Sequence, residues 1–140
     1  MRFWDSSAVV SLLVDEPARG NLLRILEADG GLIVWWGTPV ECVSAIARRE
    51  REGGLPIAGA SAALARLSAL EPSWAEVSPS TRVRALALRL LRAHALRVSD
   101  SLQLAAALVA AEQEPGSLGF ACLDERLATA AQREGFTVVP

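Results

Sequence analysis

Hydrophobic positions along the chain fall into two kinds of segment. Short apolar runs occur at Leu32–Trp36 and Gly119–Leu123, with briefer ones at Arg2–Trp4, Ala75–Val77 and Thr137–Val139. Runs of this length, apolar on both faces, predict buried strands. Longer stretches with helical spacing separate them: Ser6–Val14, Pro17–Ala28, Thr38–Glu52, Ile57–Leu70, Ser80–Ala95, Ser99–Glu112 and Glu125–Glu134. In Ser80–Ala95, Val83, Leu86, Ala87, Leu90 and Leu91 stand at i, i+3, i+4, i+7 and i+8, which is one face of a helix. Ser99–Glu112 is apolar nearly all round after its first turn, so this helix is expected to be buried on more than one side. Thr38, Pro39 and Glu41 give Thr38–Glu52 the signature of a capping box with proline at the first helical position. Glycine pairs at 30–31 and 53–54, with Pro56, Pro72, Pro79 and Pro115-Gly116, punctuate the elements.

Strands alternating with helices, and apolar on both faces, point to a mostly parallel sheet covered by helices: an α/β fold with three α/β/α layers. A chain of 140 residues is expected to form a single domain, residues 1–140. Half of its residues are hydrophobic, enough for a sizeable core without staples. No apolar run approaches the length of a membrane span, and no basic region precedes an apolar one at the N-terminus. Neither a membrane partner nor a signal peptide is expected. Cys42 and Cys122 match no zinc spacing and read as reduced, buried thiols, which suits a cytoplasmic protein.

In an open parallel sheet the ligand crevice lies beyond the carboxyl ends of the strands. Four carboxylates are expected along that edge. Asp5 and Asp124 each stand where a strand ends and a helix begins, Glu41 lies in the first turn of the helix after Leu32–Trp36, and Asp100 opens the buried helix Ser99–Glu112. Each has an ordinary explanation, because acids at helix starts satisfy free N–H groups and the helix dipole. Caps, however, have no need to converge. Carboxylates gathered within a few ångströms repel one another unless a cation offsets them, and magnesium or manganese is the hard divalent ion that prefers such oxygens. Hydrolytic chemistry at such a site needs no histidine, cysteine or lysine nucleophile. That suits a chain with no lysine and one histidine, His94, which is expected at the surface or at a helix end.

The segments WDSSAVVSLLVDEP, TPVECVSAIARRE, VSDSLQLAAALVAA and FACLDERLATAAQREGFTVV, in this order, resemble the PIN domain, most closely the ribonuclease toxins of bacterial VapBC toxin–antitoxin pairs. The resemblance covers nearly the whole chain. It implies a PIN-like fold and a Mg2+- or Mn2+-dependent endoribonuclease that hydrolyses RNA phosphodiester bonds. The family's acids fall on Asp5, Glu41, Asp100 and Asp124. Asp5 and Asp100 are the expected metal ligands, with Glu41 joining them directly or through water and Asp124 completing the cluster. Ser7 occupies the place of a hydroxyl that often supports the metal site, whereas Cys122 stands where the family often has serine or threonine. A cognate antitoxin protein and a homodimer are the partners the resemblance implies, beside the RNA substrate.

All fourteen basic residues are arginine, and the net charge is −2, which argues against a protein that merely coats polyanions. Arg48 and Arg49, near Arg51 at the end of the helix that starts by Glu41, are candidate phosphate contacts. Arg82, Arg84, Arg89, Arg92 and Arg97 form a second group. Trp35 and Trp36 are expected in the core and at the sheet edge. Three other readings compete. Phosphoacceptor receivers and haloacid-dehalogenase-like phosphatases also use strand-end aspartates, but they rely on a lysine that is missing here. An RNA-processing PIN nuclease without an antitoxin, and a catalytically inactive PIN fold used as a binding module, complete the set.

Overall fold

Each expected strand and helix forms, with shifts of a residue or two at the ends. The computed structural model describes residues 1–140. The chain runs β1 (Arg2–Trp4), α1 (Ser6–Leu13), α2 (Arg19–Asp29), β2 (Leu32–Trp35), α3 (Thr38–Arg51), α4 (Ile57–Leu70), β3 (Ala75–Val77), α5 (Thr81–Ala93), α6 (Val98–Ala110), β4 (Gly119–Ala121), α7 (Glu125–Arg133) and β5 (Thr137–Val139). The five strands form one sheet in the order β3-β2-β1-β4-β5, and every neighbouring pair is parallel.

Alternation along the strands builds the three layers. Phe3, Trp35 and Phe120 point to one face, where they meet Val83, Ala87 and Leu90 of α5, Leu104–Leu108 of α6, and Leu127 of α7. Their neighbours Trp4, Val34 and Ala121 point to the other face, against α1, Leu22 of α2, Cys42 and Ile46 of α3, and Ala60 and Leu67 of α4. The rings of Phe3 and Phe120 stack at 5.5 Å across β1 and β4, and Phe136 packs on Phe120 at 5.4 Å. Such pairs add about 0.5–1.5 kcal/mol beyond their burial. As expected from its sequence, α6 is buried through Ala105, Ala106 and Ala107. The α5 stripe also buries as expected, with Val83, Ala87 and Leu90 innermost.

Topology fixes where a ligand can bind. From β1 the chain moves outward to β2 and β3, then returns to the far side of β1 for β4 and β5. The switch in strand order therefore falls between β1 and β4, at whose carboxyl ends a crevice opens in open α/β sheets. At the β2–α3 joint on this edge, the glycine of Gly37 is required. A Cβ there would lie 2.6 Å from Nε1 of Trp35.

Candidate active site

Asp5 follows the last residue of β1, and its extended backbone makes it the N-cap of α1. Its Oδ2 accepts the Ser7 N–H at 3.2 Å, and its Oδ1 accepts the Ala8 N–H at 3.3 Å and the Ser7 hydroxyl at 2.7 Å. The side chain is therefore a helix cap and a wall of the crevice at once, so the two explanations open at the sequence level do not exclude each other. Asp5 is only 2 % exposed. Burial pushes its carboxyl up to about 6, against the smaller opposing effect of the Ser7 and Ala8 hydrogen bonds.

Glu41 does not close the expected capping box. Gly37 is the N-cap of α3 and no side chain caps it; Thr38 has moved inside the helix. Thr38 is fully buried, and its Oγ1 accepts from Nε2 of Gln103 at 3.3 Å. Glu41 turns toward the crevice, where its Oε2 accepts from the same Gln103 amide at 2.7 Å and its Oε1 from the Ser6 hydroxyl at 3.4 Å. Burial is the main cause that raises Glu41 to about 7; the Gln103 bond opposes this, and the charges of Asp5 and Asp100 add to it. Gln103 went unnoticed in the sequence, where the available signal was a lone amide in the apolar run of α6.

Asp100 lies in the first turn of α6 and is 8 % exposed. Its Oδ2 is buried without a hydrogen bond, although the Arg97 Nε stands 3.5 Å away at ion-pair distance. Arg97 also reaches Asp124, with Nη2 3.7 Å from Oδ2. The other oxygen of Asp124 caps α7 by accepting the Leu127 N–H at 2.9 Å. Cys122 donates to the Asp124 carbonyl at 3.3 Å and lies 3.9 Å from the Ser7 hydroxyl. The thiol in place of a hydroxyl thus leaves Asp124 anchored by its own cap. Both cysteines are free and buried, as expected, and burial pushes the Cys42 thiol up to about 12.

One cleft of about 660 Å³ is lined by Asp5, Glu41, Asp100 and Asp124 together, with Ser6, Ser7, Arg48, Arg49 and Arg97. The donor set suits a hard cation: buried carboxylates with raised proton affinity, and one buried oxygen, on Asp100, that lacks a hydrogen-bond donor. No three Asp, Glu, His or Cys side chains are gathered into a ready-made ion cage. The carboxylates that line the cleft fit an ion that takes oxygen ligands and keeps several of its waters, as magnesium does.

Several expectations change. Arg49 donates to Glu16 at 3.0 Å, which leaves Arg48 as the unpaired guanidinium of that pair on the cleft wall. Arg89 is paired with Glu134, at 3.1 and 2.9 Å, and does not line the acidic cleft. Arg97 faces the acids and is separate from the rest of its group. His94 caps the end of α5 as expected, but its side chain is not at the surface: it is 9 % exposed and its Nε2 lies 2.7 Å from Glu134. Trp35 is in the core, while Trp36 sits just past the end of an interior strand and is 56 % exposed.

A family model described as "PIN domain" matches residues 2–132. No curated protein matches the sequence. Two solved structures share the fold. PAE2754 from Pyrobaculum aerophilum has 19 % identity and a TM-score of 0.62, over 99 % of this chain and 83 % of that one. FitAcB from Neisseria gonorrhoeae has 16 % identity and a TM-score of 0.57, over 100 % of this chain and 97 % of that one. No helix is long and apolar enough to cross a membrane.

Proposed function

Because the chain belongs to the PIN domain family, whose members are typically metal-dependent nucleases, we propose that it is an endoribonuclease that hydrolyses RNA phosphodiester bonds. The observation that carries this reading is the shared cleft of Asp5, Glu41, Asp100 and Asp124 at the carboxyl edge of the sheet. Asp5 and Asp100, joined by Glu41, are the side chains that would hold magnesium or manganese, and Asp124 adds negative charge beside them. When bound, such an ion lowers the pKa of water and offsets charge on phosphoryl oxygens.

The chain's own groups supply the rest. Ser7 holds the Asp5 carboxylate in place. Glu41, whose carboxylate faces the cleft, accepts a proton from the water that attacks phosphorus. The water oxygen bonds to phosphorus as the bond to the leaving ribose oxygen breaks, and that oxygen keeps the electron pair and takes a proton from solvent. Arg48 on the cleft wall offers its guanidinium to a neighbouring phosphate. In magnesium, Asp5→Asn is expected to abolish RNA cleavage while the fold is retained. Cleavage at the wild-type rate would defeat the assignment.

The order and spacing of the four motifs further support a VapC-type toxin, acting in the cytoplasm as a homodimer and restrained by a cognate antitoxin protein. Expression of the chain alone should arrest growth, and co-expression with a cognate antitoxin should relieve it. Growth unaffected by the active chain would favour an RNA-processing nuclease instead. One observation favours an inactive binding module: Arg97 spans Asp100 and Asp124 where a cation would otherwise sit. A manganese-induced rise in Tm that disappears in Asp5→Asn would exclude that reading.

A further inference from the structure

We propose that Gln103 is a positioning residue that fixes Glu41 in the cleft, an inference that rests on the nuclease reading. Gln103 lies in the buried part of α6 and is 1 % exposed. Its Nε2 makes two hydrogen bonds, to Glu41 Oε2 at 2.7 Å and to Thr38 Oγ1 at 3.3 Å, while its Oε1 is buried with no partner. A buried amide with one end unsatisfied is unfavourable to folding. The amide is therefore oriented by its donor end, and the shorter of its two bonds holds Glu41.

The geometry explains why holding is needed. Glu41 has three rotatable bonds, and its other oxygen is met only by the longer Ser6 contact of 3.4 Å. Asp100 and Gln103 stand three residues apart on α6, on the same side of the helix. One rigid element thus presents Asp100 to the cleft and clamps the carboxylate that α3 contributes. The Thr38 bond ties the same amide to the first turn of α3. The spacing of the two acids is set by contact between helices and does not depend on the rotamer of an untethered glutamate. Removing a group that orients an ion-binding side chain typically costs about 10- to 100-fold in ion affinity or activity.

The test compares Gln103→Leu, the volume-matched Gln103→Met and Gln103→Glu, which replaces the donor by an acceptor. For each, kcat and KM on RNA, the manganese concentration that half-saturates the Tm shift, and Tm in chelator are measured beside wild type and Asp5→Asn. Positioning predicts a kcat about tenfold or more lower, KM for RNA nearly unchanged, and weaker manganese binding. Tm in chelator falls modestly in the Leu and Met variants, because Thr38 and Glu41 lose a donor, and the loss of kcat is seen at temperatures where the protein is fully folded. A purely structural role predicts a lower Tm with normal kcat for the folded fraction, and that result overturns the inference. So does wild-type kcat in the Met and Glu variants, which remain informative if Gln103→Leu fails to fold. If wild type and Asp5→Asn cleave alike, the nuclease reading falls and this inference with it. If Asp5→Asn is dead and the Gln103 variants are normal, only this inference falls.

Discussion

Leu123 donates its backbone N–H to the Ser7 hydroxyl at 2.9 Å, across 116 positions of sequence. The same hydroxyl donates to Asp5 at 2.7 Å. A single small side chain therefore ties the exit of β4 to the exit of β1 at the switch in strand order, and it orients the most buried acid of the cleft.

Ser7→Ala strands the Leu123 N–H and removes the only side-chain hydroxyl donor to Asp5. Loss of such a partner costs about 1–3 kcal/mol where the group left behind is buried. Leu123 is partly exposed, so water offsets some of the loss and the lower half of that range is expected in chemical denaturation. RNA cleavage should fall about tenfold or more, because Asp5 loses its orientation. Denaturation and cleavage both at wild-type values would show that the hydroxyl bridge is dispensable.

Asp5 and Glu41 make the ion-free protein sensitive to pH. Both folded-state pKa values are raised, to about 6 and about 7, chiefly by burial. The folded state thus holds protons that the unfolded state has already released. Stability falls as pH rises from the ordinary carboxylate range through 6 and 7, and the loss is complete above that window. For the buried Asp5 the cost at pH 8 is roughly 3 kcal/mol at most. In chelator, the Tm of Asp5→Asn minus that of wild type should therefore grow between pH 5 and pH 8. Magnesium should shrink the difference by favouring the ionised wild-type acids. A difference independent of pH would contradict the burial of an ionisable Asp5.

What the sequence could disclose was set by which interactions are local. Strands apolar on both faces identify a covered parallel sheet, and such a sheet implies an edge on which Asp5, Glu41 and Asp124 belong. Asp100 needed one further step, that α6 starts at this edge. Local logic failed at Thr38, whose capping signature was outcompeted by a buried bond to Gln103, 65 residues later. It placed His94 at the end of α5 but gave no sign of its partner Glu134, 40 positions away. Arg97 was grouped with neighbours of like charge, although its surroundings are set by Asp124 across the sheet edge. In all three cases the partner lies on an element whose docking no periodicity encodes.

The Glu134 cluster gives a prediction confined to stability. Glu134 lies at the end of α7, holds both Arg89 donors and meets His94, and none of the three lines the cleft. The Arg89 hydrogen bonds are the main cause that lowers the Glu134 pKa. A depressed carboxylate contributes stability that is present above its ordinary value and is lost as pH falls through the folded value. Arg89 is half exposed, so solvent screening limits the effect. Glu134→Gln should destabilise by about 1 kcal/mol at pH 7, less at pH 3, with kcat and KM unchanged. A loss of cleavage by the folded variant would place α7 in the machinery of the site.

Arg97 supplies the remaining prediction. Its guanidinium stands 3.5 Å from Asp100 and 3.7 Å from Asp124, longer than good charged hydrogen bonds, and its side chain is 69 % exposed. A pair of this kind is worth at most about 1 kcal/mol and yields readily to a better cation. It nonetheless opposes a divalent ion, both by occupying two acids and by like charge. Arg97→Ala should therefore bind manganese more tightly in the absence of RNA, by up to about fivefold, the equivalent of roughly 1 kcal/mol. Arg97→Lys, which keeps the charge, should stay near wild type. Raising the salt concentration should narrow the gap between wild type and Arg97→Ala, because exposed charges are screened. Titration of each protein with manganese, read by thermal shift at low and high salt, decides the matter. Weaker binding by Arg97→Ala would mean that the guanidinium helps to assemble the acids and does not compete for them.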